Sequence, residues 1–327
     1  MLKVGLIGCG FMGQMHANCY KHIHGVQLAA VADIRMEKAQ AIALDTNAVI
    51  YGDGMDLIAR ADVDIIDICL PTFLHAQYAL AAMEKVRYLF VEKPVALTVE
   101  EGEALVAKSK EFGCQVQIGQ VIRFWDEYVE LKKLVESNQY GRIVNANFRR
   151  LSPRPDWGWK DWLLDCSLSG GAAQDLHIHD VDYVLSLLGE PKALYSIKNQ
   201  IGEKNSYIST LLQYDTCAVT VEGTWDLPST HPFEATFRVV LENAVVENAG
   251  GKFMLYTKEE AKEIVLEKKA LSGAENAGGN ISDLGGYYNE LLYFCNCAKE
   301  GKEIACADLS SAVASLKFLM KELGFHA

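Results

Sequence analysis

Short apolar runs alternate with amphipathic stretches along residues 1–120 of the chain. The apolar runs predict strands at Lys3–Ile7, Val26–Ala32, Ala48–Tyr51, Asp64–Leu70, Tyr88–Val91 and Gln115–Ile118. The stretches between them predict helices at Met12–His22, Met36–Leu44, Met55–Arg60, Leu74–Glu84 and Val99–Phe112. Continuous Val, Ile and Leu runs are typical of parallel strands that helices cover on both faces. Residues 1–120 are therefore predicted to form an α/β domain with a doubly wound parallel sheet.

The pattern changes after residue 120, where apolar and polar residues begin to alternate. A strand at Arg142–Arg150 and period-two runs at Tyr207–Tyr214, Cys217–Trp225 and Phe233–Leu241 predict a mainly antiparallel, open-faced sheet. Helices are predicted at Asp126–Ser137, Ala172–Leu188, Tyr287–Lys299 and Leu309–Leu323, with a loop at Ser272–Gly286. We expect residues 121–327 to form an α+β domain for substrate binding and oligomerisation. Its last helix, about 309–323, is placed to pack back on the first domain.

A glycine motif follows the first predicted strand. Gly8-Cys-Gly-Phe-Met-Gly13 fits GxGxxG and opens a predicted helix. In such a βαβ unit the glycines allow a tight turn and let the backbone approach a pyrophosphate at the helix N-terminus. The motif therefore predicts a Rossmann domain that binds a dinucleotide. The residues predicted to contact it here are Gly8, Gly10, Phe11, Met12 and Gly13.

An acidic residue ends the second predicted strand. Asp33 lies 20 residues after Gly13, where a carboxylate can accept hydrogen bonds from the ribose hydroxyls and repel a 2′-phosphate. This position favours NAD as the cofactor. Arg35 lies close by and could bind that phosphate, so NADP is kept as the lesser alternative.

Candidate catalytic and cofactor-binding residues follow two further predicted strands. Leu70-Pro-Thr-Phe-Leu-His75 follows the fourth predicted strand, and Glu92-Lys-Pro94 follows the fifth. The carboxyl ends of parallel strands lie on the ligand side of a doubly wound sheet, so Lys93 is poorly placed to be only a solvated charge. A nearby oxidised nicotinamide would favour loss of its proton, which suits a group that hands protons on.

The stretch from Ser169 to Asp182 places an acid and a histidine on one helix face. Asp175 and His179 are four residues apart, whereas His177 points elsewhere around a helix. In one alternative, His179 is a hydrogen-bonded core histidine and Asp175 is an acid at the start of a helix, and neither has a catalytic role. A metal site is the other alternative, but only one pair has the i, i+4 spacing that helical ligands need. We therefore predict no metal.

Together these motifs resemble the glucose–fructose oxidoreductase and inositol dehydrogenase (Gfo/Idh/MocA) family. The resemblance extends unevenly over the whole chain and is carried by GCGFMG at 8–13, the Asp33 strand end, LPTFLH at 70–75, VEKP at 91–94, IRF at 122–124 and GGAAQDLHIHD at 170–180. It implies a catalytic Lys93, a substrate-binding Asp175 and a proton-transferring His179. Other candidate cofactor-binding residues are Arg35, Leu70, Pro71, Thr72, His75 and Glu92, with Lys93 also near the cofactor. Candidate substrate-binding residues are Gln120, Arg123 and Trp162, although the nearby tryptophans could equally be core or interface.

The resemblance implies an NAD(H)-dependent oxidoreductase that moves a hydride between nicotinamide and a secondary alcohol of a polyol, inositol or sugar derivative. Two alternatives stay open. One is an enzyme that keeps its NAD bound and oxidises a glycoside transiently. The other is a non-catalytic NAD(H)-sensing protein, which would have no need of Lys93, Asp175 and His179 together.

Composition narrows the partners. With 31 Lys+Arg against 43 Asp+Glu the net charge is −12, so we expect neither nucleic acid nor an anionic membrane as a partner. No apolar run approaches the ~18 residues of a membrane helix. The nine cysteines are odd in number and irregularly spaced, which indicates a reducing cytoplasm rather than a disulfide framework. The expected partners are a small polyhydroxylated substrate and further copies of the chain, as a homodimer or homotetramer.

Overall fold

A computed structural model describes residues 1–201, 204–267, 271 and 284–324, which divide into two compact units. The first comprises Met1–Phe124, Trp159–Trp162 and the described residues within Lys269–Leu316. The second comprises Trp125–Gly158 and the described residues within Leu163–Lys268 and Lys317–Ala327. The division into domains 1–120 and 121–327 stays a prediction. Residues 272–283 of the loop predicted at Ser272–Gly286 lie outside the described residues.

The first unit is built on a six-stranded sheet. Its strands are β1 Leu2–Ile7, β2 Val26–Ala32, β3 Val49–Tyr51, β4 Ile65–Ile68, β5 Tyr88–Val91 and β6 Gln115–Ile118. They pair in the order β3-β2-β1-β4-β5-β6, and every pair is parallel. The chain therefore leaves β1 in one direction and returns on its other side with β4, which confirms the predicted doubly wound sheet. Ligands of such sheets bind where this order reverses.

Ten α-helices occur among the described residues. They are α1 Phe11–His22, α2 Met36–Thr46, α3 Gly54–Arg60, α4 Thr72–Met83, α5 Val99–Phe112, α6 Asp126–Glu136, α7 Cys166–Ser169, α8 Ile178–Leu188, α9 Gly285–Glu300 and α10 Leu309–Glu322. Local sequence sets the ends of α5. The Thr98 hydroxyl accepts from the Glu101 N–H, the Glu101 carboxylate accepts from the Thr98 N–H, and Gly113 ends the helix with a φ of 65°.

Helix α9 completes the core of the first unit although it lies far along the chain. Leu291, Phe294 and Cys295 are fully buried in the same cluster as residues of β1, α1 and β5. The ring of Phe294 meets that of Phe90 edge to face, with centroids 5.5 Å apart. The apolar face of α9 thus shields β5 from water, which is the kind of burial that stabilises a domain most.

The second unit is built on an eight-stranded sheet. Its strands are β7 Ile143–Pro153, β8 Ala193–Ile201, β9 Lys204–Gln213, β10 Ala218–Leu227, β11 Glu234–Leu241, β12 Val245–Ala249, β13 Lys252–Tyr256 and β14 Ala261–Glu263. They pair in the order β14-β13-β12-β11-β7-β10-β9-β8. All pairs are antiparallel except β7 with β10. This confirms the mainly antiparallel sheet.

The two faces of this sheet differ in exposure. Ile208 and Leu212 of β9 are buried, whereas Leu211 between them is 40% exposed, as expected because side chains alternate across a strand. Leu211 lies directly opposite Tyr195 of β8, which is 63% exposed, as is Ile197 on the same face. An open face with apolar side chains therefore exists in the second unit.

The helix predicted over Ala172–Leu188 is not one regular helix. Gly170 and Gly171 have φ values of 74° and 68°, a π-helical turn follows at Ala173–His177, and α8 then begins at Ile178. The left-handed glycines end α7, and a π-turn widens the helix by one residue per turn. The segment that carries Asp175 and His179 is therefore a joined π and α helix.

A buried ion pair fixes α8 in the second unit. The Arg150 guanidinium donates to both carboxylate oxygens of Asp180, at 2.8 and 3.0 Å, and to the Tyr128 hydroxyl at 3.0 Å. Arg150 is 2% exposed and Asp180 is fully buried. Such a bidentate pair is strongly directional, so it ties the position of α8 to β7 and α6.

Candidate active site

The glycine motif forms a tight turn between β1 and α1. Gly8 has a φ of +94°, and a Cβ there would lie 2.4 Å from the carbonyl oxygen of Cys69. A Cβ on Gly13 would lie 1.8 Å from the carbonyl oxygen of Gly8. Only glycine fits at these two positions. Gly10, Phe11 and Met12 carry the chain from the turn into α1.

The start of α1 suits an anion. Among the described residues, no side chain caps the helix at Gly10, and its first turn contains no acid. The backbone N–H groups and the dipole of a helix end attract phosphate. The missing β-carbons and this uncapped end present a backbone surface that fits the pyrophosphate of a dinucleotide.

Asp33 and Arg35 form an ion pair beside the glycine turn. The Asp33 carboxylate accepts hydrogen bonds from the backbone N–H groups of Cys9 and Arg35, each at 2.8 Å. Arg35 Nε and Nη2 lie 3.1 and 3.2 Å from its two oxygens, and the guanidinium lies 5.8 Å over the Trp159 ring. Asp33 therefore holds the turn in place, and Arg35 is held against Asp33.

The loop after β4 contains Leu70, Pro71 and Thr72, the last of which begins α4. His75 is 1% exposed, and its Nδ1 and Nε2 lie 2.7 Å from the carbonyl oxygens of Pro94 and Leu70. Burial lowers the pKa of His75, so the ring is neutral at pH 7 and donates to one carbonyl only. His75 thereby links the loops after β4 and β5, and its contact with a cofactor stays a prediction.

Lys93 stands at the carboxyl end of β5. Its backbone N–H donates to Oε2 of Glu92 at 3.1 Å, and the N–H of Glu92 donates to the Ile68 carbonyl oxygen at 2.9 Å. Glu92 is 4% exposed and Lys93 is partly buried. The backbone under Lys93 is thus fixed both to β4 and to its own neighbour.

The three candidate substrate-binding residues lie after β6 and in the tryptophan-rich loop. Gln120 is 1% exposed, and its backbone carbonyl oxygen accepts the backbone N–H of Arg123 at 3.0 Å. Arg123 lies in a short 3₁₀ helix and contacts the Ser311 hydroxyl at 3.4 Å. Trp162 is partly buried in a second 3₁₀ segment. Their contact with a substrate stays a prediction.

The second unit holds the other two candidate catalytic residues. Asp175 lies in the π-helical turn and is partly buried, and His179 lies in the first turn of α8 and is 9% exposed. His177 between them is fully buried, with Nε2 2.8 Å from Oε1 of Glu322. A structural partner therefore accounts for His177, while the roles of Asp175 and His179 stay predictions.

Within the first unit, the predicted cofactor residues gather at one edge of the sheet. The glycine turn follows β1, Asp33 follows β2, the Leu70 loop follows β4 and Lys93 follows β5. These strands are adjacent and parallel. This edge is where doubly wound folds bind their ligands.

Sequence reasoning missed a buried polar cluster in this unit. His16 of α1, Asp67 of β4 and Glu290 of α9 are each fully buried. An acid within the apolar run Ile65-Ile-Asp-Ile68 was the available signal, because a buried carboxylate requires a partner. Among the described residues, His16/Asp67/Cys69 and His16/Glu92/Glu290 are groups close enough to hold a metal ion, and neither includes Asp175 or His179.

Two global expectations can be compared with the structure. All nine cysteines are free thiols, and Cys166 is the one that is exposed rather than buried or partly buried. Within the described ranges, no helix has both the length and the apolar character needed to cross a bilayer.

Curated relatives include enzymes that act on inositols. The inositol 2-dehydrogenase of Salmonella paratyphi B is 31% identical over 217 residues, which is 64% of this chain and 61% of that protein. The scyllo-inositol 2-dehydrogenase (NAD(+)) of Bacillus subtilis is 25% identical over 320 residues, which is 95% of this chain and 90% of that protein. The first match thus spans less than two thirds of the relative's length.

A solved structure and two family descriptions cover more of the chain. The crystal structure of an oxidoreductase from Agrobacterium radiobacter, in complex with NAD+, L-tartaric acid and magnesium, has a TM-score of 0.84 over 99% of this chain and 96% of that one. At 17% identity this likeness shows the fold. Residues 2–120 match the oxidoreductase family with an NAD-binding Rossmann fold, and residues 128–247 match the GFO/IDH/MocA C-terminal domain. The chain belongs to the Gfo/Idh/MocA oxidoreductase family.

Proposed function

We propose that this protein is an NAD-dependent dehydrogenase that oxidises a secondary alcohol of a polyol, inositol or sugar derivative. The observation that carries the proposal is the gathering of the glycine turn, Asp33 and Lys93 at the ends of neighbouring parallel strands. A dinucleotide-binding turn alone would suit many functions. A lysine on the same edge supplies a group for proton chemistry near the cofactor. The names of the inositol dehydrogenases among its relatives support the substrate class.

NAD is proposed as the cofactor in preference to NADP. The Asp33 carboxylate is 8% exposed and bonded to the glycine turn, so it cannot move away to admit a 2′-phosphate without loosening that turn. Arg35 is already paired with Asp33, and binding the phosphate would require it to leave this partner. Both effects oppose NADP.

The residues of the chain supply positioning and proton transfer. A bound nicotinamide supplies the hydride acceptor. In the proposed mechanism the Lys93 ammonium polarises the substrate hydroxyl oxygen, and His179 removes the hydroxyl proton as a general base. Asp175 binds a neighbouring hydroxyl or orients His179. The substrate loses two electrons with the carbinol hydrogen and one proton to His179, which balances the oxidation of an alcohol to a ketone.

Assembly and compartment follow from other features. The open face with Tyr195, Ile197 and Leu211 favours a homodimer or homotetramer, because an apolar face of this kind is stabilised by burial against a copy of itself.

The absence of disulfides among the nine cysteines favours a reducing, cytoplasmic compartment.

The proposal is tested by screening inositols, sugars and polyols for NAD+ reduction, followed by absorbance. We expect turnover with at least one of these and loss of turnover in Lys93→Ala. The exposed Lys110 on α5 provides the matched control, since Lys110→Ala should behave as wild type. Equal turnover in Lys93→Ala and wild type would reject Lys93 as a catalytic residue. Binding of NAD without turnover of any substrate class would favour a sensor.

A further inference from the structure

Five ionisable side chains form a buried cluster in the first unit, and one of them, Glu92, accepts the backbone N–H of Lys93. His16 Nδ1 lies 2.8 Å from Oδ2 of Asp67, and His16 Nε2 lies 3.0 Å from Oε1 of Glu92. Oδ2 of Asp67 also accepts the Tyr20 hydroxyl at 2.8 Å. Oxygen, nitrogen and oxygen atoms of Glu92, His16 and Glu290 lie within 4.8 Å of one another. All of these residues belong to the first unit.

His16 carries a positive charge in this cluster. A neutral imidazole has one N–H, whereas each ring nitrogen of His16 faces a carboxylate. Burial on its own lowers the pKa of His16, but the Asp67 carboxylate and the nearby Cys69 sulfur outweigh it and raise the pKa well above its ordinary value. The imidazolium thus stands between Asp67 and Glu92 as a shared counter-ion. The contact with Glu92 is a close ion pair rather than an aligned hydrogen bond.

Glu290 is the member that the imidazolium does not neutralise. Its side chain is fully buried, and neither carboxylate oxygen has a hydrogen-bond partner among the described residues. Burial without a partner disfavours the charged carboxylate relative to its protonated form. Burial raises the pKa of Glu290 well above its ordinary value, and the neighbouring Glu92 raises it further. Both effects outweigh the nearby His16, which lowers the pKa, so the site favours the protonated form of Glu290.

Glu92 is enclosed by its neighbours. Oε1 faces His16, and Oε2 accepts the backbone N–H of Lys93 at 3.1 Å. On the third side lies Gly119, where a Cβ would come within 3.0 Å of Oε1 and 3.1 Å of Oε2. The side chain of Glu92 therefore has one position, and that position fixes the peptide N–H from which Lys93 projects.

We propose that Glu92 is a positioning residue for Lys93, held in place by its contact with His16 and by the limited space at Gly119. The inference rests on the catalytic role proposed for Lys93. Glu92 acts through the backbone of Lys93 and needs no contact with the substrate. A misplacement of about 1 Å can reduce a reaction rate by ~10²-fold, so a cluster that holds the strand end affects kcat more than binding.

The charge on the cluster is measured first, without any substrate. The infrared difference spectrum of wild type minus Glu290→Gln at pH 7 should show the C=O stretch of a protonated carboxylic acid, which moves when the protein is exchanged into D2O. Glu111→Gln changes an exposed glutamate on α5 and should show no such band. If the band is absent and one divalent ion per chain co-purifies, the cluster is a metal site and our account of it is overturned.

Kinetics then test the positioning role. Glu92→Gln should lower kcat by roughly 10- to 100-fold while changing KM less than about threefold. A loss of NAD affinity as large as the loss of kcat would show that Glu92 acts as a cofactor contact and would overturn the positioning role. Gly119→Ala should lower kcat in the same way but less, because its methyl group displaces the Glu92 carboxylate. In the double variant the two effects should not add, since both act through one side chain. Glu92→Asp should fail to restore kcat because its carboxylate is one methylene too short to reach both partners.

Two further outcomes would overturn the inference. One is wild-type kcat in folded Glu92→Gln, and the other is strict additivity in the double variant. If Lys93→Ala itself turned over normally, the proposed function would fail, whereas the infrared result would still stand. If Lys93→Ala is inactive and Glu92→Gln is unaffected, only the positioning role fails.

Discussion

Nε2 of His177 lies 2.8 Å from the carboxylate of Glu322, and both side chains are fully buried. The same carboxylate accepts the hydroxyl of Thr210, so the contact joins the π-helical turn, α10 and β9 of the second unit. The sequence predicts that His177 lies on a different face of the helix from His179 and has no catalytic role. The structure instead places it in the core, against Gly223, where a Cβ would lie 2.7 Å from the ring.

His177→Ala should therefore destabilise the fold. Removing His177 leaves the buried Glu322 carboxylate with the Thr210 hydroxyl but without the imidazole, and we expect a loss of about 3 kcal/mol in the free energy of unfolding. Urea denaturation at pH 7 measures it. His24→Ala removes an exposed histidine and should change the free energy by less than about 0.5 kcal/mol. Equal stabilities of the two variants would contradict the structural role of His177.

Cofactor choice should depend on Asp33. We expect NAD to bind at least about tenfold more tightly than NADP, which corresponds to ~1.4 kcal/mol. Asp33→Ala should narrow that ratio, because Arg35 is then released from its partner and the carboxylate no longer repels the 2′-phosphate. Fluorescence titration with both dinucleotides measures the two dissociation constants. Equal affinities of the wild-type protein for NAD and NADP would show that attraction of the 2′-phosphate by Arg35 offsets its repulsion by Asp33.

The three candidate catalytic residues should give distinct kinetics. Lys93→Ala should abolish turnover and leave NAD affinity nearly unchanged. His179→Ala should lower kcat by roughly 10² to 10⁴ and remove an ionisation from the pH–rate profile. Asp175→Ala should raise KM as well as lower kcat. Lys110→Ala and His24→Ala serve as controls on exposed residues. A wild-type pH profile in His179→Ala would contradict its role as the general base.

Stability should fall as the pH rises above neutrality. The pKa of Glu290 is raised from 4.5 in the folded state, so above 4.5 the folded chain holds a proton that the unfolded chain has released, and deprotonation favours unfolding. His16 acts in the same direction, because its stabilising charge is fully present below 6.5 and is lost as the pH passes its raised folded pKa.

Urea unfolding at pH 5, 6, 7, 8 and 9 measures the free energy of unfolding, and its slope against pH should be less negative in Glu290→Gln between 4.5 and the raised folded pKa of Glu290. Above 6.5 the contribution of His16 should decrease the free energy of unfolding in wild type. The exposed Glu111→Gln variant should retain the wild-type slope. An identical slope in Glu290→Gln would show that Glu290 does not hold the extra proton.

The open face of the second sheet should be covered in solution. Light scattering at micromolar concentration should give the mass of a dimer or tetramer. Leu211→Glu places a charge beside Tyr195 on this face and should shift the mass toward the monomer. Leu44→Glu, at an 84% exposed position on α2, should not. A monomeric wild type would contradict the proposed assembly.

The parallel sheet could be predicted because its strands are continuous apolar runs that alternate with amphipathic helical stretches. The strand ends after Ile7, Ala32, Ile68 and Val91 bring the candidate residues of the first unit to one edge, and topology alone dictates this. Strands β8 and β12 to β14 were not predicted, since they are short or carry mixed polarity. Pairing with neighbours rather than composition makes them strands.

The buried clusters could not be predicted from sequence. His16, Asp67 and Glu290 are separated by up to 274 residues, and only packing of α9 beside α1 brings them together. The π-turn at Ala173–His177 likewise has no periodic signal, since it depends on the left-handed Gly170 and Gly171 before it. Such features are set by packing between distant parts of the chain, and local secondary-structure propensity contains no information about them.

The parallel pairing of β7 with β10 has an evolutionary consequence. Parallel neighbours require a long crossover connection, and here residues 154–217 lie between the two strands. The first part of that connection carries Asp175 and His179. Lengthening an exposed loop within this connection costs little entropy, because the cost grows only with the logarithm of the loop length. Insertions can therefore reshape the surroundings of Asp175 and His179 while the sheet that anchors them keeps its pairing.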